Sequence, residues 1–192
     1  MAIGVSASAQ QGSKWLGGAL SFNSDEDAAG LKSSGFSISP RFGYYLNDKW
    51  AIGIGLGYST SSVENSATSE TTTSGIGIVP FVRYNCVEAG KFVFFGQAEL
   101  GYTSYESEFT TQVGPANVST KTDYSATGLS INPGVAYNIN ESFAVELIMP
   151  NIFDYYSYSG DRDGSGMSFA FNSGYSIQNY FLSPTFSFMY KF

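Results

Sequence analysis

The chain has 192 residues, and 9 Lys and Arg against 16 Asp and Glu leave it at −7. Only 13% of residues are charged and 17% are aromatic, whereas a soluble domain carries about 25% charged residues, so part of this surface faces something other than water. The acidic balance argues against a nucleic-acid partner, which needs clustered Lys and Arg. The absence of histidine removes the commonest general base and transition-metal ligand. Cys86 stands alone, so neither an intrachain disulfide nor a thiolate zinc site can form, and no cofactor or metal is expected. No apolar run approaches the roughly 18 residues of a spanning helix, so a membrane crossing must be made of strands.

In chain order, the first signal is Ala7-Ser8-Ala9 before Gln10, the small-residue pattern of a secretory cleavage site. The charged start and most of the apolar core of such a signal are missing. A truncated remnant over 1–9 and a single domain over 10–192 are therefore expected. From Lys14 onward the chain alternates with period two. Leu16, Gly18, Leu20 and Phe22 share one parity, and Gly17, Ala19 and Ser21 the other. The next sets are Phe36, Ile38, Pro40, Phe42, Tyr44 and Leu46, then Trp50, Ile52, Ile54, Leu56 and Tyr58. Ile76, Ile78, Pro80, Val82 and Tyr84 follow, then Phe92, Phe94, Ala98, Leu100 and Tyr102. Later come Leu129, Ile131, Pro133, Val135 and Tyr137, then Phe143, Val145, Leu147 and Met149. The last set is Tyr180, Leu182, Pro184, Phe186, Phe188, Tyr190 and Phe192. Each set spans about the 9–11 residues of a tilted membrane strand or slightly fewer.

The connections alternate in length. Residues 47–49, 85–90 and 138–141 are short turns, whereas 23–35, 60–74, 103–125 and 152–175 are long, polar and rich in Ser, Thr, Gly and Asp. These spacings predict an all-β fold, an eight-stranded antiparallel up-and-down barrel with both termini at the short-turn end. Pro40, Pro80, Pro133 and Pro184 each open a Pro-x-apolar-x-aromatic motif in every second strand. Proline lacks the ladder donor, so a shared bulge or non-bonded position is expected there.

Alternation does not say which face is outside. A soluble barrel with an apolar cavity needs Lys and Glu on its second face, but here that face reads Gly, Ser, Ala and Asn. Small residues suit the crowded lumen of eight strands. Aromatics gather near the short turns (Trp50, Tyr44, Tyr84, Tyr137, Phe143, Tyr190) and toward the long connections (Phe22, Phe36, Tyr58, Tyr102), like the two belts of a membrane–water interface. The apolar face is read as lipid-facing, which makes the barrel transmembrane.

These segments, the secretory remnant and the ending Phe186-x-Phe188-x-Tyr190-x-Phe192 resemble a small Gram-negative outer membrane β-barrel, of the OmpX-like or OmpA transmembrane-domain-like type. The resemblance covers nearly all of 13–192. It implies a monomer in outer membrane lipid, inserted by the barrel-assembly machinery, which in such families reads Phe186, Phe188, Tyr190 and Phe192 as the assembly signal.

Arg41, Arg83, Glu99 and Glu146 fall on the inward parity of four strands. A charge in a narrow lumen must be paired or hydrated, so an ionic network with Gln97 and Asn132 nearby is expected, as a structural plug or, alternatively, a gate. Asp25-Glu26-Asp27 and Asp161-Arg162-Asp163-Gly164 lack calcium-loop spacing and read as solvated acids. Asp154-Tyr155-Tyr156-Ser157-Tyr158 reads as an aromatic extension of a strand, stacking on 167–171, or as contact area for a partner or sugar. Cys86, in a short turn with no basic neighbour, reads as incidental. The expected function is non-enzymatic: a filled barrel with four long surface loops for membrane integrity, adhesion or a surface ligand. The alternative is a narrow channel for water, ions or very small solutes.

Overall fold

A period of two commits the backbone to strands, because alternate residues then share one face. The computed structural model describes residues 11–169 and 185–192. The expected remnant over 1–9, and Tyr180, Leu182 and Pro184 of the last segment, lie outside these residues. Ten strand segments are described: β1 (Lys14–Glu26), β2 (Lys32–Tyr45), β3 (Trp50–Ser66), β4 (Ser69–Ala89), β5 (Phe92–Val113), β6 (Ala116–Asn138), β7 (Phe143–Ile148), β8 (Phe153–Gly160), β9 (Gly164–Phe169) and β10 (Thr185–Lys191). β1 to β6 are antiparallel neighbours in chain order. β7 and β8 both lie against β6 and are two halves of the seventh barrel strand. β9 pairs with β8, and β10 pairs with β7 and with β1, which closes the ring. The fold is a closed eight-stranded antiparallel barrel. Lys14 and Phe192 exchange both backbone hydrogen bonds, at 2.9 and 3.0 Å, at the short-turn end.

Two of the short turns use the same device. Asn47 Oδ1 accepts from the N–H groups of Lys49 and Trp50, both at 2.9 Å. Asn140 Oδ1 accepts from Ser142 and Phe143 at 2.9 and 2.7 Å. Each side chain stands in for a backbone turn and sets the register of its hairpin.

At the opposite end the expected long loops are largely absent. β3 and β4 stay paired up to Ser66↔Ser69, and β5 and β6 up to Val113↔Ala116. The segments 60–74 and 103–125 are thus strand, closed by tight turns, the second at Gly114 with φ +63. Likewise β1 and β2 pair to Glu26↔Lys32, and the last connection contains β8, a short turn and β9. Thr and Ser can line a wet ladder as well as apolar residues line a dry one, and β-branched Thr favours extended backbone. Loss of apolar alternation marks the edge of the hydrocarbon band, not the end of the strand.

Pro40, Pro80 and Pro133 face outward and act alike. The ladder from β2 to β3 lapses at Ser39 and Pro40 and resumes in register at Arg41↔Gly55. That from β4 to β5 lapses at Val79 and Pro80 and resumes at Phe81↔Glu99. Each proline directs its missing donor toward the following strand. Beside Pro133 that strand breaks at residues 149–152, where its register against β6 shifts by two between Gly134↔Ile148 and Ile131↔Phe153. Pro150 sits in the break, because it cannot supply a ladder N–H.

The faces separate as expected. Leu56 is 56% exposed and Phe188 70%, and such residues continue around the ring, where hydrocarbon must cover them. Trp50–Tyr84, Phe92–Tyr137 and Phe143–Tyr190 meet at a tilt across strands near the short turns, with centroids 4.7, 5.0 and 5.1 Å apart. The inner face is less uniformly small than expected. Trp15, Tyr45, Phe81 and Phe95 point inward and are buried. Three of them lie over a glycine directly across the ladder: Trp15 over Gly43, Phe81 over Gly53 and Phe95 over Gly134. A Cβ on any of those glycines would collide with the ring. Glycine makes room, and the aromatic ring covers the exposed backbone it leaves.

Candidate functional site

The lumen is filled in its short-turn half. Trp15, Tyr45, Ala51, Phe81, Ala144 and Met189 form one packed cluster, and Val93, Phe95, Ala136 and Ile148 a second. Between them lies a charge network assembled from four strands. Arg83 of β4 reaches across the lumen to Glu146 of β7, donating from Nη1 to Oε1 and from Nη2 to Oε2, the second at 3.3 Å. Its Nε donates to Gln97 Oε1 at 2.7 Å. Gln97 Nε2 donates to Glu99 Oε1, and the same oxygen accepts from Arg41 Nη1 at 2.9 Å. The four charged residues and Gln97 thus form one continuous chain with no net charge. Asn132 faces the same space opposite Gln97 and accepts instead from Ser130 Oγ, at 3.0 Å.

Burial grades along this chain. Arg41 and Glu99 keep 19% and 14% of their side-chain surface, whereas Arg83 and Glu146 keep 1% each. A buried guanidinium needs every donor engaged and its charge compensated. Glu146 supplies the counter-charge in a two-pronged contact, which suits the planar fork of Arg. Phe95 and Trp15 supply ring faces, with Arg83 Cζ 4.0 and 5.0 Å from their centroids. Trp15 Nε1 is left without a hydrogen-bond partner, a cost incurred by laying the indole across Gly43. A void of about 10 Å³ borders Arg83, Tyr45 and Lys191, room for about one water. Sequence reasoning singled out the charges but not the rings that sandwich Arg83. Trp15 shares the parity of Gly17 and Ala19, so its inward direction was readable; its packing against a residue from another hairpin was not.

The other singled-out residues take separate places. Phe186, Phe188, Tyr190 and Phe192 all lie exposed on the outer face. Cys86 sits not in a turn but in the end of β4, at a register shift, and is exposed. Asp27 Oδ1 accepts from the N–H groups of Ala29 and Leu31, at 2.8 and 2.9 Å, and so shapes its own turn. Tyr155 pairs across the ladder with Met167, and Phe153 with Phe169. Ala170 and Phe171 lie outside the described residues.

The sequence matches the outer membrane protein beta-barrel domain over residues 1–177. No curated protein matches it significantly. Among solved structures, Ail, the attachment invasion locus protein of Yersinia pestis, is 14% identical, with 95% of this chain and 100% of that chain covered at a TM-score of 0.51. A major outer membrane protein from Thermus thermophilus is 11% identical, with 94% and 99% covered at a TM-score of 0.51. Both share the barrel architecture. From the family match over most of its length and the lipid-facing barrel, the chain belongs to the outer membrane protein beta-barrel domain family and resides in the outer membrane.

Proposed function

We propose that the protein is a non-enzymatic, non-conducting monomeric surface barrel that presents a rigid sheet to partners outside the cell. The observation that carries this reading is the continuation of β3 to β6 far beyond the apolar band. From Tyr102, the last outward aromatic of β5, the strand runs to Val113, about 36 Å at roughly 3.3 Å per residue. Backbone pairing keeps this projection stiff, which lowers the entropy cost of contact. The sealed Arg83–Glu146 layer acts as a plug, and the terminal aromatics serve the assembly machinery. The fold of Ail, named for attachment and invasion, is in keeping with a contact role.

Two measurements test this together. The refolded protein in planar bilayers is expected to give no conductance steps. Cells displaying it should adhere to matrix-coated plates, and shortening the β5–β6 hairpin to a tight turn above Tyr102 should abolish adhesion at equal surface levels. Reproducible conductance supports the narrow-channel reading instead, and equal adhesion by the shortened form refutes the contact role.

A further inference from the structure

The inward parity continues above the hydrocarbon band, where it carries tyrosines. Tyr105 of β5 and Tyr124 of β6 are ladder partners. Their rings stack at 5.0 Å. Tyr158 of β8 meets Tyr124 edge-on at 5.9 Å and Tyr156 at 5.4 Å. Tyr156 stays 39% exposed although it faces the lumen, so this mouth is open to solvent.

The turn between β8 and β9 delivers a cation onto these rings. Asp161 N–H donates to Asp123 O, and Asp123 N–H donates to Asp161 Oδ2, both at 3.0 Å. Pinned this way, the turn sets Arg162 Cζ 4.6 Å from the Tyr158 centroid and 5.6 Å from that of Tyr124. Arg162 is flanked by Asp161 and Asp163, yet no carboxylate among the described residues lies within ion-pair distance of it. The guanidinium is held by ring faces. Below it, Asp154 faces inward opposite Ser130, with no cationic partner among the described residues.

We propose that this mouth is a binding site for the guanidinium groups of arginine-bearing peptides, occupied at rest by the protein's own Arg162. The resident group shows which chemistry the rings accept, and the ring quadrupole explains why. Asp154 and the net charge of −7 draw cations to the mouth and disfavour anions. A planar, weakly hydrated guanidinium stacks better than an ammonium, so arginine is preferred over lysine at equal charge. An incoming arginine must displace Arg162, which lowers the apparent affinity of the resting protein. The site lies at the base of the projecting β5–β6 sheet, on its inner face, and its argument does not depend on the adhesion reading.

The test uses the full chain, refolded in an uncharged polyoxyethylene detergent, titrated calorimetrically with amidated tetra-arginine and tetra-lysine. Arg162→Ala with Asp163→Asn empties the rings at unchanged net charge. It should bind tetra-arginine about tenfold tighter than the parent, and tetra-lysine distinctly more weakly than tetra-arginine. Adding Tyr158→Ala should erase the gain, whereas Tyr158→Phe should keep it, since the ring and not the hydroxyl is required. A heat-modifiable band in each variant establishes that the barrel has folded. Equal tetra-arginine affinity with and without Arg162 overturns the proposal. So does equal binding of both peptides regardless of Tyr158, which is plain attraction to an acidic surface. Binding of maltotetraose without any response to tetra-arginine makes the rings a sugar platform and equally overturns it.

Discussion

Glu146→Gln isolates the energetic role of the lumen network. The substitution keeps volume and a hydrogen-bond acceptor but removes the counter-charge from Arg83. Both side chains are 1% exposed, so bulk water cannot screen the guanidinium left behind. Breaking a buried pair by removing one partner costs about 3–5 kcal/mol. Arg83 retains Gln97 at 2.7 Å and the faces of Phe95 and Trp15, which places the expected loss near the low end, about 3 kcal/mol. Replacing both partners, Arg83→Met with Glu146→Leu, removes the charge and its compensation together. That variant should lie within about 1 kcal/mol of the parent or above it. Urea unfolding in liposomes, followed by the heat-modifiable band on gels, gives both numbers. A Glu146→Gln loss under about 1 kcal/mol means that water reaches Arg83 and the sealed-plug argument fails. A double variant as unstable as the single one refutes the desolvation argument itself.

Three further outcomes follow from the same geometry. Leu56→Arg, on the lipid face, should cost about 2–4 kcal/mol, whereas Gly57→Ser should be nearly neutral, since a Cβ there has nothing within 4 Å; Gly43→Ser, which drives a side chain into Trp15, should be damaging, and urea midpoints rank all three. Phe192→Ala should lower the amount inserted in cells while leaving refolding in detergent nearly intact, because Phe192 is 61% exposed and contacts Tyr190 at 5.9 Å; equal surface levels refute an assembly role. Burial, helped by Tyr124 and Tyr158 and opposed by a hydrogen bond with Thr103, holds the Tyr105 hydroxyl above the ordinary phenol range. Its contribution to stability is complete below about pH 10 and is lost as the unfolded chain ionises first, so raising the pH through that value should destabilise the parent more than Tyr105→Phe.

Much of this protein is written in strictly local terms. The period-two alternation from Leu16 to Phe192 and the Asn47 and Asn140 turns determine strands, hairpin order and sidedness. Each depends on neighbours in sequence and on the contrast between hydrocarbon and water. The inward parity of Arg41, Arg83, Glu99 and Glu146 is legible for the same reason. Other features required the closed ring. That Arg83 meets Glu146, and that Trp15 and Phe95 cover it, depends on which strands face each other across the lumen and at what stagger. Strand tilt and shear decide that, and they arise only when β1 meets β10. The height of β3 to β6 above the membrane was hidden by composition, because Ser and Thr look alike in a wet ladder and in a loop. Pairing between Val113 and Ala116 decides for the ladder, since every backbone donor it satisfies is one that a loose connection must leave to water.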